Sequence, residues 1–436
     1  MPSDNNKKTK TAIITIFFIL AIFLAVSCKE CPTEPEPGNV TLSIAYVATQ
    51  SVYLNISVSD SLNTSEIRIQ RDTTTIMEAT IFSGDTLIID DSLQSGRTYS
   101  YRGYLLDKGK VISSGEILPV TTMDTTDHEI YSWEIDTLGF SGEINDIRII
   151  SKNDIWAVGE FVTDSGTFNV AKWNGDRWNL QLVGAIGVNC NGIYYFTEDD
   201  IWIATGILYH WNGKEWERYH LWNMGILNES DGGVEYIWGS SPNNIYFVGG
   251  NGTIVHYNGS NFKKMASRTT CDLDDVFGIG ENHIWAVGSA TGEFQSVILF
   301  YDGKKWTTLH DTGYMGSGYW TKSVWTDNPY FLFLNGGSGR IFYDLVQDEL
   351  HKDMTAGRWY GYAIDGLACN DIFATGMGSE ILHYNGSTWH LYTEIKDHFG
   401  DYAHIKSVKI TNNLIIAGGL YHTGLYGIPI IIRGYR

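Results

Sequence analysis

Basic residues are few in this chain. Thirty Lys and Arg stand against 50 Asp and Glu, a formal net charge of −20 at pH 7. Nucleic-acid binding needs a basic surface to neutralise phosphates, so that class of partner is excluded, and so is direct adhesion to anionic headgroups. An acidic surface of this kind keeps an exported protein soluble. Cysteine is equally sparse, five in 436 residues, with neither a zinc spacing nor a disulfide framework. Cys190, Cys271 and Cys369 are therefore expected to be free and mostly buried. Charged residues make up only 18% against 43% hydrophobic and 14% aromatic, which excludes a disordered chain. One long uncharged apolar run occurs, residues 11–26, too short and wrongly flanked for a membrane span. P-loop and dinucleotide fingerprints are missing. Gly336-Gly337-Ser338-Gly339 and Gly316-Ser317-Gly318 lack the spacing and strand-to-helix setting of a nucleophile elbow. No catalytic residue, metal ligand or cofactor site is assigned.

What the chain does have is a repeat. AKWNGDRW, YHWNGKEW, LFYDGKKW and LHYNGSTW place paired aromatics at Trp173 and Trp178, Trp211 and Trp216, Tyr301 and Trp306, and Tyr384 and Trp389. VHYNGSNF does the same with Tyr257 and Phe262. Asn-Gly or Asp-Gly between them predicts a tight hairpin with a type I′ turn. The marker recurs at Trp173, Trp211, Tyr257, Tyr301, Tyr343, Tyr384 and, degenerately, Ile432, every roughly 40–50 residues, the spacing of β-propeller blades. Upstream of each copy lies a second hairpin, with strands such as IWAVG and IYFVGG that are apolar on both faces. The last unit ends at PIIIRGYR without a fourth strand, while a spare strand, YSWEIDTL with Trp133, precedes the first unit. That spare strand is expected to pair with the last unit and close a seven-membered ring, leaving no sheet edge exposed. An open solenoid, the alternative, would leave it without a partner.

The glycine-ended strands (Gly249 and Gly250, Gly418 and Gly419) and the aromatic pairs resemble the broad kelch-like and Asp-box group of propellers, over residues 129–436. The resemblance implies architecture and carries no catalytic residue.

The N-terminus reads as an address. Lys7, Lys8 and Lys10 precede the apolar run, and Leu24-Ala25-Val26-Ser27-Cys28 resembles a bacterial lipobox. The resemblance implies a signal peptide over residues 1–27, lipidation of Cys28, and, with Lys29 where an aspartate would retain the protein at the inner membrane, an outer-membrane lipoprotein. An ordinary secretory signal or an uncleaved anchor is the alternative. Residues 28–37, rich in Pro and Glu, form an extended tether.

Residues 38–123 carry alternating strands. LQSGRTYSYRGYLLDKGK, with Leu93, Gly96, Tyr99 and Tyr101, resembles the E–F region of a fibronectin type III domain. This implies a β-sandwich spacer with Tyr99 as its tyrosine-corner residue. Tyr53 or Leu54 takes the volume of the usual buried tryptophan. Another immunoglobulin-like sandwich is the alternative. The fold class is therefore all-β: a small sandwich followed by a seven-bladed propeller.

Ligand recognition is expected on loops leading into each first strand or joining second to third strands, since such loops vary while the strands repeat. Their aromatic and histidine residues Trp222, Tyr319, Trp320, Trp359, Tyr360, Tyr402, His404, Tyr421 and His422 suit sugar faces and protein side chains alike. Tyr314 and Tyr426 lie in the same loops. His210, His256 and His383 recur in step with the repeat and read as structural. Asp272, Asp274 and Asp275 read as a solvated loop. The expected function is non-enzymatic binding of a glycan or an envelope or extracellular protein. A carbohydrate-active enzyme, a glycoside hydrolase or lyase working in the axial pocket, is the alternative.

Overall fold

The computed structural model describes residues 39–436 apart from 60–63, 83–84, 291–294, 313–320, 338, 354–356, 358–359 and 425. Cys28, the signal and the tether lie outside the described residues, as do Tyr314, Tyr319, Trp320 and Trp359. Strands dominate, and the chain divides into two compact units, one ending at Thr125 and the other running Thr126–Arg436.

In the first unit, Asn39–Val47, Val52–Ser59 and Asp85–Asp90 form one antiparallel sheet. Thr74–Phe82, Thr64–Arg71, Thr98–Asp107 and Lys110–Ser114 form the other, with Leu118–Thr121 also paired to Thr98–Asp107. The two sheets share a core: Val40, Ile56 and Val58 meet Ile67, Ile69, Ile81 and Leu105. Tyr53 and Leu54 are both buried. The Tyr99 hydroxyl accepts a hydrogen bond from the Gln94 amide at 2.9 Å, tying its strand to the preceding loop. The buried Tyr101 hydroxyl donates to Asp90 at 2.7 Å, and Arg71 pairs with the same carboxylate at 2.8 Å.

Among its described residues the second unit forms seven four-stranded antiparallel sheets. Their innermost strands are Ser141–Ser151, Gly192–Thr197, Val234–Ser241, Asp272–Gly280, Thr321–Trp325, Gly361–Ala368 and Ala403–Thr411. We number the sheets first to seventh in that order. Each inner strand packs beside the next, and the last packs beside the first. Second strands such as Phe331–Gly336 are buried throughout, because both faces meet neighbouring sheets. The core lies between sheets: Ile144, Ile147, Ile155 and Phe161 of the first meet Leu414, Ile416 and Ile431 of the seventh.

The seventh sheet takes its outer strand from the N-terminal side. Ser132–Thr137 pairs antiparallel with Gly427–Tyr435, setting Trp133 opposite Gly434 and Ile135 opposite Ile432. A Cβ on Gly434 would lie 2.6 Å from the Trp133 ring, so glycine is what admits the indole. Asp136 on this strand accepts from the Trp178 indole of the first sheet at 3.0 Å and pairs with Arg433 at 2.8 Å.

The hairpin turns differ from the expected type I′. Gly175 has φ 93°, but Asn174 does not have positive φ. Instead the Asn174 side-chain oxygen accepts from the Asp176 and Arg177 amides at 3.0 and 2.9 Å. Asn212, Asn258, Asp302 and Asn385 each do the same for the two matching amides of their own turns. The position needs a short side-chain acceptor, and the glycine alone takes the left-handed conformation. That glycine also rests on the first hairpin of its sheet, with a Gly175 Cβ falling 2.9 Å from Asn153.

Candidate functional site

The inner strands share an irregularity. In six of them the register slips at one residue near the start: Asn145, Glu235, Asp274, Lys322, Tyr362 and Lys406. In the second sheet Asn191 holds the corresponding place, just ahead of Gly192–Thr197. A bulge leaves one residue out of the ladder and re-aims its side chain. Repeated around a ring of inner strands, it sets a polar or aromatic side chain from each sheet at one mouth of the axis.

Interactions around and across the mouth bear this out. Lys406 of the seventh sheet donates to Glu143 of the first at 2.5 Å and to Asn145 at 3.3 Å. Asn145 donates to Asn189 at 2.8 Å, and Asn189 to Glu143 at 3.0 Å. Lys322 of the fifth sheet pairs with Asp274 of the fourth at 2.5 Å. Burial alone would raise the Glu143 carboxyl; the Lys406 ammonium and the two asparagine amides outweigh it and hold the group below its usual range. Glu235 goes the other way, pushed up by burial and then by the charges of Asp274 and Asp272. Burial also raises Asp274, against the pull of Lys322.

One step deeper the carboxylates bind sheets together. Asp146 accepts from the Ile193 amide of the second sheet at 3.0 Å and the Ser407 hydroxyl of the seventh at 3.1 Å. Asp275 accepts from the Ser323 hydroxyl at 2.7 Å and the Val324 amide at 3.1 Å. Asp365 accepts from the Ile410 amide at 3.0 Å. Burial raises the Asp275 and Asp365 carboxyls. The solvated loop expected at Asp272, Asp274 and Asp275 is thus a strand whose carboxylates each have a place in the ring.

Of the loop aromatics chosen from sequence, Tyr360, His404 and His422 come together. Tyr360 and Tyr362 rings are 5.3 Å apart, Tyr362 and His404 6.1 Å, His404 and His422 4.6 Å. This row lies on the sixth and seventh sheets. Burial, then His422 and Lys406, lower the His404 pKa. Tyr402 is exposed, and its carbonyl accepts the His422 amide at 2.9 Å. Tyr421 packs against Phe399 at 5.1 Å as part of the core rim. Trp222 stands apart, after the second sheet; its indole donates to the Asn228 carbonyl at 3.1 Å and its ring packs on a buried cluster.

Several exposed apolar side chains lie on loops at the end of the sheets where the inner strands begin. Phe140, Leu182, Ile186, Met224 and Tyr402 sit on loops leading into the first, second, third and seventh inner strands, and Tyr426 on the loop joining the last two strands. Ile186 is 76% exposed, more than any other large hydrophobic residue among those described. These loops belong to the seventh, first, second and third sheets, while Tyr131, Ile279, Leu309 and Leu367 are exposed elsewhere in the unit.

The repeated histidines are structural. His210 contacts Asp200 at 2.8 Å and stacks on Trp202; His256 contacts Asn244 at 2.8 Å and stacks on Tyr246; His383 contacts Asp371 at 3.0 Å and stacks on Phe373. Cys190, Cys271 and Cys369 are free and buried. Among the described residues, no three His, Cys, Asp or Glu are placed to hold a metal, and no helix is long and apolar enough to cross a membrane.

No family model matches the chain, and no curated protein does. Solved structures do. YCF48 bound to D1 peptide is similar at TM-score 0.52 and 14% identity, over 72% of this chain and 99% of that one. The WD40 β-propeller domain of Doa1 is similar at TM-score 0.49 and 13% identity, over 70% of this chain and 97% of that one. At such identity the likeness speaks for the fold alone. The chain is an all-β protein of β-propeller type.

Proposed function

We propose that this is an exported lipoprotein, anchored through Cys28 at the outer membrane, whose seven-bladed propeller binds a polypeptide on the face carrying the axial mouth. The first unit is its fibronectin type III-like spacer. The seven four-stranded sheets, the contact of the last inner strand with the first and the pairing of Trp133's strand with Gly427–Tyr435 support the blade count and the mode of closure. The strand order of the two small sheets and the Tyr99 hydrogen bond support the spacer. The lipobox-like Leu24–Cys28 stretch supports the anchor.

One observation carries the binding reading. A mouth of charged and aromatic side chains, set by bulges in six inner strands, opens at the same end of the sheets as the loops of exposed Phe140, Leu182, Ile186, Met224, Tyr402 and Tyr426. A polar centre with apolar loops at the same end fits a polypeptide, which brings both kinds of side chain. YCF48, which shares the fold, was solved bound to a peptide. A glycan is the second reading, favoured by the ring row Tyr360, Tyr362, His404 and His422.

Selection from a random-peptide display library on the immobilised full chain tests the reading. It expects peptides whose binding is lost when Ile186 and Met224 are both changed to Ser. Selection of none, or of peptides indifferent to those changes, refutes it.

A further inference from the structure

Apolar side chains on the surface of the first unit are unevenly placed. Four large ones are exposed among the described residues, Ile44, Val111, Ile112 and Ile117, and the last three fall in one short stretch. That stretch includes Lys110–Ser114, the outermost strand of its sheet. The ladder slips there: Val111 stands opposite Leu106 and Ser113 opposite Leu105, which leaves Ile112 out of the pairing. In a regular strand neighbouring side chains point to opposite faces; a bulge re-aims one of them, and here both Val111 and Ile112 are exposed. Sheet edges are usually guarded by charge, so an apolar edge marks a contact surface.

The path of the chain says what lies nearest to it. Val40, at the start of the described chain, packs on this stretch: a Cβ on Gly115 would fall 2.1 Å from the Val40 carbonyl oxygen. The Gly115 amide donates to the Gly103 carbonyl at 2.9 Å, and Gly103 in turn lies against the Val40 side chain. The strand Asn39–Val47 then runs away from Gly115. Just past its far end the Ala48 carbonyl accepts the Met123 amide at 3.1 Å, two residues before the unit ends at Thr125. The chain therefore enters the unit beside Gly115 and leaves it about 25 Å away. About eleven residues separate Cys28 from Asn39, a reach of at most about 40 Å. A lipid on Cys28 holds the bilayer near the entry end. A tether of that length gives an effective concentration on the order of millimolar, enough for a weak apolar contact to persist.

Charge is not what draws the stretch to a membrane. Lys108 and Lys110 are exposed, but so are Asp107 and Glu116, and the signs cancel. The contact is apolar, with the lysine stems lying along it and their ammonium groups in the headgroup layer. A second copy could cover the same side chains, yet the anchor brings lipid to them in every molecule.

We propose that Val111, Ile112 and Ile117 rest in the interfacial layer of the bilayer that holds the anchor, so that the first unit stands on the membrane by its edge at residues 110–117. This rests on the lipidation of Cys28.

The test uses the lipidated protein, purified from bacterial membranes and reconstituted into phosphatidylethanolamine–phosphatidylcholine vesicles. A trace of the phosphatidylcholine carries a diazirine near the carbonyl end of one acyl chain. After flotation and irradiation, mass spectrometry locates the lipid adducts. They are expected to concentrate in residues 110–117 and to fall about tenfold in the Ile112→Ser/Ile117→Ser variant, which still floats through its anchor. Ile44→Ser, exposed on another strand, is expected to keep them. Adducts spread over other surfaces, or undiminished by the double substitution, overturn this inference and leave the anchor standing. Absence of adducts at 110–117, with an amine crosslinker joining Lys110 of two molecules, assigns the edge to a second copy and overturns it equally. Failure of the wild type to float overturns the anchor and this inference with it.

Discussion

Acid should loosen the seam where the two ends of the ring unit meet, and His128 is the group that makes it do so. His128 lies just ahead of the closing strand Ser132–Thr137. Its Nδ1 is 2.8 Å from His383 Nδ1, its ring stacks on His390 at 5.0 Å, and its carbonyl accepts the Tyr392 hydroxyl at 2.9 Å. Asp127 and Arg436 are the other charges facing it. Burial, then His383 and His390, bring its pKa from 6.5 down to about 4. The folded value lies below the unfolded one. The associated stability is therefore complete above about pH 6.5 and is lost as pH falls towards 4. A shift of that size corresponds to about 3 kcal/mol at most. His128 is partly solvent-exposed, so screening reduces this to about 1–2 kcal/mol.

The assay is convenient because the chain has no tryptophan before Trp133. Tryptophan fluorescence under urea therefore follows the ring unit alone. Between pH 7 and pH 4 the wild type should lose about 1–2 kcal/mol more than His128→Asn, since the remaining titrating groups are common to both. Parallel pH profiles for the two proteins would refute the reasoning.

Three further outcomes follow from particular contacts. Asn174→Ala frees two turn amides and should cost about 1 kcal/mol in the same urea assay, whereas Gly175→Ala, forced into positive φ against Asn153, should cost more. Tyr101→Phe removes the donor to buried Asp90 and should destabilise the first unit by about 1–2 kcal/mol, read as faster amide exchange in Thr98–Asp107. Cys28→Ser should abolish radiolabelled-palmitate incorporation and move the processed protein out of the membrane fraction; a variant that keeps the label, or stays with the membrane after cleavage, would rule out the anchor.

The repeat was legible because hairpin chemistry is local. Aromatic pairs around Asn-Gly or Asp-Gly mark most of the outer hairpins, and apolar runs mark the buried second strands. The unpaired strand with Trp133 stood out because its own repeat had no place for it. The turn type is ambiguous for a local reason too: Asn-Gly satisfies both a type I′ turn and an Asx-capped turn, and only backbone angles separate them. The mouth was not legible. A bulge is a matter of register between two strands, and at Thr321-Lys322-Ser323-Val324 or Gly361-Tyr362-Ala363-Ile364 nothing in one strand announces it. Asp274 and Asp275 looked like loop residues because acidic runs usually are. Their partners, Lys322 and Ser323, lie in the next sheet and become neighbours only when the ring forms. The loop aromatics were chosen by position, and the structure separates them: Tyr360, His404 and His422 share a row, while Tyr421 packs inward and Trp222 stands elsewhere.

Both the mouth and the apolar loops at its end of the sheets depend on the ring being closed by the strand that holds Trp133. Amide hydrogen exchange on the intact chain addresses this directly, by comparing Ser132–Thr137 with its partner Gly427–Tyr435. The paired amides of both strands are expected to be protected and to lose protection together as urea is raised. Free exchange in Ser132–Thr137 while Gly427–Tyr435 stays protected would contradict it.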